Sequence, residues 1–267
     1  MTWVIGASPY AGGYGVMLSD IQVKLADGTT LDMLQKAYPV GNYIVAGFAG
    51  SVRIGFHLLQ SLKDSLVLPP DMAAAGGFHP PDVANAWAPV AKRVFEHAPD
   101  RERALGSRLL FVGVDPIEDD FVPGRARIYV CRFASPGFHP GISTRRFSVL
   151  SIGSGSRVIA HRHALRALLR PSNNGILQFE THPNGIAFGL SLGVSFMLLD
   201  HPQPGISPHV HVCTVTREGF QIGTNDRRSY LPDGTMRDFT MPPVARTWEQ
   251  FCQMVTQLRH TPVSARC

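Results

Sequence analysis

Lysine is nearly absent from this chain: four residues (24, 36, 63 and 92) among 267, against 21 arginines. The net charge is +5, but the arginines are scattered, with doublets only at 145–146 and 227–228. A nucleic-acid patch needs a clustered basic run, and none is present, which argues against nucleic acid as a partner. Cysteine is scarce too. The four, at 131, 213, 252 and 267, form no CxxC pair and have no metal-ligand spacing. They could form two disulfides, but with no signal peptide ahead of the first strand the expected compartment is a reducing cytoplasm. A long apolar run is also missing. The most apolar stretch, Ile186 to Leu199, is too short to span a bilayer and reads as a core helix. A soluble protein with no membrane and no nucleic-acid partner is expected.

A hydrophobic fraction of 44% supplies an ample core and excludes disorder. Apolar runs at 2–8 and 14–20 read as a hairpin, and two more short strands follow around 34–40 and 43–48. From the N-cap candidate Ser51, apolar residues at 52, 56, 59, 62 and 66 recur as one face of a helix. A Pro/Gly-rich connection over 67–81 leads to a second helix from Asp82 to about Ala98. Strands resume at 107–114, 125–133 and 145–153, the last two separated by a Pro/Gly loop. Helices over 153–169 and 184–199, a hairpin over 209–225 and a helix over 247–258 complete the order. Strands and helices come in blocks rather than alternating, so the expected class is α+β, in one domain.

The opening MTWVIGAS poses the functional question. With Met1 removed, a strand would start at Thr2, and a free amine beside a hydroxyl is a nucleophile carrying its own base. An unperturbed α-amine titrates at about pH 7.7–8.0, poised to accept a proton near neutrality. Asp20 closes the second strand, which a hairpin returns to the start of the first. Lys36 follows on the next strand. Its ammonium would lower the pKa of hydroxyl and amine, and a carboxylate beyond it would keep it charged and aimed. Two glycine-bearing turns lead into helices. NYIVAGFAGS (42–51) places Gly50 where backbone N–H groups point outward, a candidate oxyanion hole. SIGSGSR (151–157) lacks the third glycine of a dinucleotide fingerprint and the βαβ unit around it.

On the segments IVAGFAG (44–50), LLFVGVD (109–115) and LSIGSGS (150–156), the chain resembles proteasome β-type subunits, and most closely the peptidase subunit of the related bacterial ATP-dependent protease. The resemblance implies a four-layer αββα sandwich of the N-terminal-nucleophile hydrolase class. Residue by residue, it implies Thr2 as nucleophile and Asp20 and Lys36 as the conserved acidic and basic pair, sixteen residues apart. It further implies Gly50 as oxyanion donor and Ser154 as the serine packed against the threonine. Phe48 would lie near the substrate pocket, giving a hydrophobic preference, with Ser51 beside it. The pattern departs after Gly50, where Ser51-Val52-Arg53 replaces a small residue followed by Asp. Asp200 and Ser207 are the only stand-ins for a later Asp and Ser. Inserted loops near 67–81 and 115–143 and an extension from about 226 are also implied. So are polypeptide substrates, a homo-oligomeric ring, no cofactor, and a possible ATPase unfoldase partner.

Two rival readings share the architecture: a catalytically silent structural subunit and a non-proteolytic amidase. The eleven histidines invite a metal, but neither His209 with His211 nor His161 with His163 has helix i,i+4 spacing or a nearby Cys/Asp partner, so no metal is expected. The acidic run 118–120 beside Pro116 reads as a surface turn, and Cys267 as a free thiol.

Overall fold

The computed structural model describes residues 2–8, 13–66, 79–119, 125–143, 148–168, 183–224, 228–230, 235–238 and 240–260. The connection at 67–78, Asp120, and Cys267 lie outside these. Among the described residues the class is α+β, with antiparallel sheets and six α-helices.

One sheet has five strands in the order β10 (Val149–Gly153), β1 (Trp3–Ala7), β2 (Gly15–Asp20), β11 (Val210–Thr216), β12 (Gly219–Thr224). The other runs β5 (Ala37–Gly41), β6 (Ile44–Gly50), β7 (Ser107–Asp119), β8 (Ala126–Ala134), β9 (Gly141–Ser143). Period-2 alternation distributes their side chains over three apolar clusters. Val4, Met17, Val45, Leu110, Val130 and Cys213 meet in a core shared by both sheets. Trp3, Ile5 and Leu18 face the other way, toward α4 (Ile159–Leu168) and α5 (Pro183–Asp200). On the far side of the second sheet, Phe48 and Phe111 pack under α1 (Val52–Ser65) and α2 (Pro80–Glu96), with α6 (Trp248–His260) against the same cluster. β1 is therefore buried on both faces, which is why its sequence is apolar without alternation.

Several elements differ from the sequence reading. The chain opens with six strands rather than four, because Gln22–Lys24 (β3) and Thr30–Asp32 (β4) close a small hairpin over the turn at 26–28. β9 lies within the expected Pro/Gly loop, and β7 continues through Glu118 and Asp119, so those acids stand on a strand rather than a turn. The stretch 115–143 thus contains the end of β7 and all of β8 and β9. α2 starts at Pro80, since proline at the first helical position gives up only an N–H that has no intrahelical partner. A short helix α3 (Asp100–Arg103) and a hairpin of β13 (Arg228–Tyr230) with β14 (Met236–Asp238) went unread. In α1 the buried side chains are Ile54, Leu58, Leu59 and Leu62. Val52, Phe56 and Leu66 are only partly buried against the same cluster.

The chain beyond 240 is tied back to the start of the second sheet. Leu34 and Ala245 form a parallel bridge in which Ala245 N donates to Met33 O at 2.7 Å and Gln35 N donates to Ala245 O at 3.0 Å.

Candidate active site

The β1–β2 hairpin pairs Val4 with Ser19, so Asp20 ends beside Trp3. Its Oδ1 accepts the Trp3 amide at 2.7 Å and its Oδ2 the Gln22 amide at 3.1 Å. Lys36 Nζ lies 3.0 Å from both carboxylate oxygens and donates as well to the Gln22 carbonyl. Asp20 is 2% exposed and Lys36 1%. Burial pushes Asp20 above the usual carboxylate range and pulls Lys36 below the usual lysine range, while each partner's charge resists the other's shift. A second carboxylate, unread in the sequence, adds to that resistance: Asp32 also favours the charged lysine. Asp32 accepts Gln22 Nε2 at 3.0 Å and Ser207 Oγ at 2.6 Å, and lies 3.3 Å from His209 Nδ1. These hydrogen bonds hold its carboxyl below the ordinary range against the cost of burial.

Thr2 precedes β1 and is 9% exposed. Its backbone nitrogen donates to Ser154 Oγ at 3.1 Å, and that hydroxyl donates back to the Thr2 carbonyl at 3.3 Å. The approach is possible because Gly153 has φ +89° and a Cβ there would stand 2.0 Å from the Thr2 oxygen. The GSG turn is thus shaped to fit the first residues of β1, which accounts for its glycines without a dinucleotide.

Thr2, Gly50 and Ser154 line one open cleft of about 380 Å³, together with Ala49, the segment Leu105 to Arg108, Ala134, Ser135, Gly153 and Arg157. Gly50 closes β6 at φ +104°, and a Cβ there would meet the Gly106 carbonyl at 2.3 Å. The close neighbour at Gly50 is therefore the chain's own Gly106. Asp20 and Lys36 are buried and do not line the cleft.

Two expected substrate contacts lie elsewhere. Phe48 is 1% exposed in the core under α1, its ring 5.4 Å from that of Phe56. Ser51 is buried with its hydroxyl doubly used: it accepts the Ile54 amide at 3.2 Å as N-cap and donates to Glu102 Oε2 at 2.6 Å. Asp200 is exposed at the end of α5, and Ser207 bonds Asp32, which itself bonds the Gln22 side chain. The cleft residues Ser107, Arg108, Ser135 and Arg157 went unread. Only the pairing of Gly50 with Ser107, invisible in spacing, brings the first two there.

Of the histidines, His161 and His211 are buried in the described structure. His161 stacks on Trp3 at 4.9 Å and its Nε2 lies 3.1 Å from the His201 carbonyl. His163 is exposed. His211 is buried, and burial with the nearby Arg246 charge lowers its pKa to about 4. A different group, His79, Asp115 and Glu118, holds its ligand atoms within 4.8 Å of one another toward the far end of β7. Its members already have partners. Tyr129 donates to Glu118 at 2.9 Å, Arg127 pairs with the same carboxylate, and Asp115 accepts the Ile117 and Glu118 amides at 2.9 and 2.8 Å. Among the described residues, no helix is long and apolar enough to cross a membrane.

No protein-family model matches the chain, and no curated protein matches it in sequence.

Proposed function

We propose that the chain is a threonine-type N-terminal-nucleophile hydrolase of the proteasome β-type kind, acting on peptide bonds. One observation carries this reading. A single cleft is lined by Thr2, Gly50 and Ser154, while the carboxylate that accepts the next amide, Trp3, is the one that holds Lys36. The two facing sheets, with helices packed beyond each, support an αββα arrangement in four layers.

Once Met1 is removed, Thr2 Oγ1 attacks the substrate carbonyl carbon and the α-amine takes the hydroxyl proton. The Gly50 amide stabilises the oxyanion of the tetrahedral intermediate. The ammonium then protonates the departing nitrogen, leaving an ester on Thr2. Water attacks that ester while the amine accepts its proton, and returning the proton to Oγ1 frees the acid product and the hydroxyl. Ser154 fixes the amine nitrogen, and the buried Asp20–Lys36 pair sets the field behind the nucleophile. A homo-oligomeric ring and an unfoldase partner belong to the same proposal.

The test combines intact mass with capture by a peptide epoxyketone, which reacts with the hydroxyl and amine of one residue. The expected result is a chain lacking Met1, covalent capture at Thr2, and loss of peptide hydrolysis by about 10⁴-fold or more in Thr2→Ala. A purified oligomer that keeps Met1, or a Thr2→Ala variant as active as the parent, overturns it. Capture at Thr2 without cleavage of any peptide redirects the reading to an amidase.

A further inference from the structure

The cleft at Thr2 carries charge of one sign. Arg108 and Arg157 both line it, and among the described residues no Asp or Glu does. Arg108 is the second residue of β7, and Arg157 ends the single 3₁₀ turn that follows Ser154. Neither forms an ion pair among the described residues, where the paired arginines are Arg103, Arg127 and Arg217. Glu102 does not line the cleft, and its Oε2 accepts the Ser51 hydroxyl at 2.6 Å. A third feature is independent of charge. Ser107 also lines the cleft, is buried, and its Oγ has no hydrogen-bond partner among the described residues. That oxygen is closed off from the cleft surface, so recognition at this site rests on Arg108 and Arg157.

An apolar substrate side chain would desolvate the guanidinium groups with nothing to replace their water. A carboxylate supplies the opposite charge and can take charge-assisted, two-pronged hydrogen bonds from a guanidinium. We infer that the substrate is a polypeptide with Asp or Glu beside the scissile bond, selected by Arg108 and Arg157. This rests on Thr2 being the nucleophile. It replaces the hydrophobic preference that the position of Phe48 suggested.

Matched fluorogenic tetrapeptides ending in Glu, Gln or Leu before the reporter amide test it on the assembled protein. Glu is expected to exceed Gln in kcat/KM by about tenfold or more at low salt. The ratio should shrink as salt rises and fall to near one in the Arg108→Gln, Arg157→Gln double variant. Arg157→Lys should keep part of it. A ratio near one in the parent, or a preference for Leu, overturns the inference even where cleavage is robust. Should no peptide be cleaved and no epoxyketone react at Thr2, the nucleophile reading is lost. The anion site is then judged on binding alone, by fluorescence anisotropy of the same Glu and Gln peptides labelled at the N-terminus. Tighter binding of Glu that needs both arginines upholds the site, and equal or absent binding overturns it.

Discussion

Replacing Lys36 with methionine keeps the length of the side chain and deletes the charge. What remains is a buried Asp20 carboxylate with only the Trp3 and Gln22 amides to stabilise it. At the 3.0 Å separation of Nζ and oxygen, Coulomb's law with an effective dielectric near 20 puts the lost attraction at about 5 kcal/mol. Breaking a buried pair by removing one partner costs about 3–5 kcal/mol in practice, a large share of a native stability of about 5–15 kcal/mol. Asp20→Asn is costly as well, since a single amide oxygen cannot serve both backbone donors and its NH₂ must face one of them. Removing both charges together spares the orphaned ion, so the double variant should be more stable than the two single losses summed, by about 2 kcal/mol or more. Urea midpoints and slopes for the parent and the three variants measure this. A pH series adds a sign. In Lys36→Met the Asp20 pKa stands still further above its unfolded value. The folded state therefore binds the extra proton, and the deficit should shrink as pH falls through the folded pKa. A cost for Lys36→Met below about 1 kcal/mol, or strict additivity of the two singles, would refute the picture of an interdependent buried pair.

His211 supplies a titration of the opposite sense. With a folded pKa of about 4 against about 6.5 unfolded, the unfolded chain takes up the proton first. Its contribution is complete above pH 6.5 and is lost toward pH 4, at about 1.4 kcal/mol per pH unit. His211→Leu should remove that slope from urea midpoints measured over this range, and an unchanged slope would show that another group is responsible. Phe48→Ala should cost about 3–5 kcal/mol by opening a cavity under α1 while leaving the ratio of rates across a peptide panel unaltered. A change in that ratio without loss of stability would return Phe48 to the cleft.

How far the site could be read without coordinates differs residue by residue. Asp20 was legible because a hairpin must return the end of β2 to the start of β1, and Lys36 because a lysine is rare here. Phe48 misled for a physical reason. It stands two residues before Gly50, which in an extended strand puts both on one face. Gly50 at φ +104° leaves the extended conformation, so Gly50 reaches the cleft while Phe48 stays with the helices. Ser51 had two possible uses, cap and substrate contact, and the helix claims its hydroxyl. Arg108 and Arg157 carried no local mark, since only strand pairing and the fold of the GSG turn bring them to Thr2. The fold class followed from the blocks of strands and helices, whereas β3, β4, β9, β13 and β14 were missed because three residues are too few to display a period.

The bridge between Leu34 and Ala245 ties the segment ahead of α6 to the backbone next to Lys36. Its two hydrogen bonds grip the backbone on either side of Leu34, and the second of them holds the residue just before Lys36. The backbone that carries the ammonium is thus braced from a segment far away in sequence. A chain cut just before Ala245 would keep every residue of the cleft and the Asp20 partner of Lys36 yet lose both backbone ties beside that lysine, so the strand that carries it would be held from one side only.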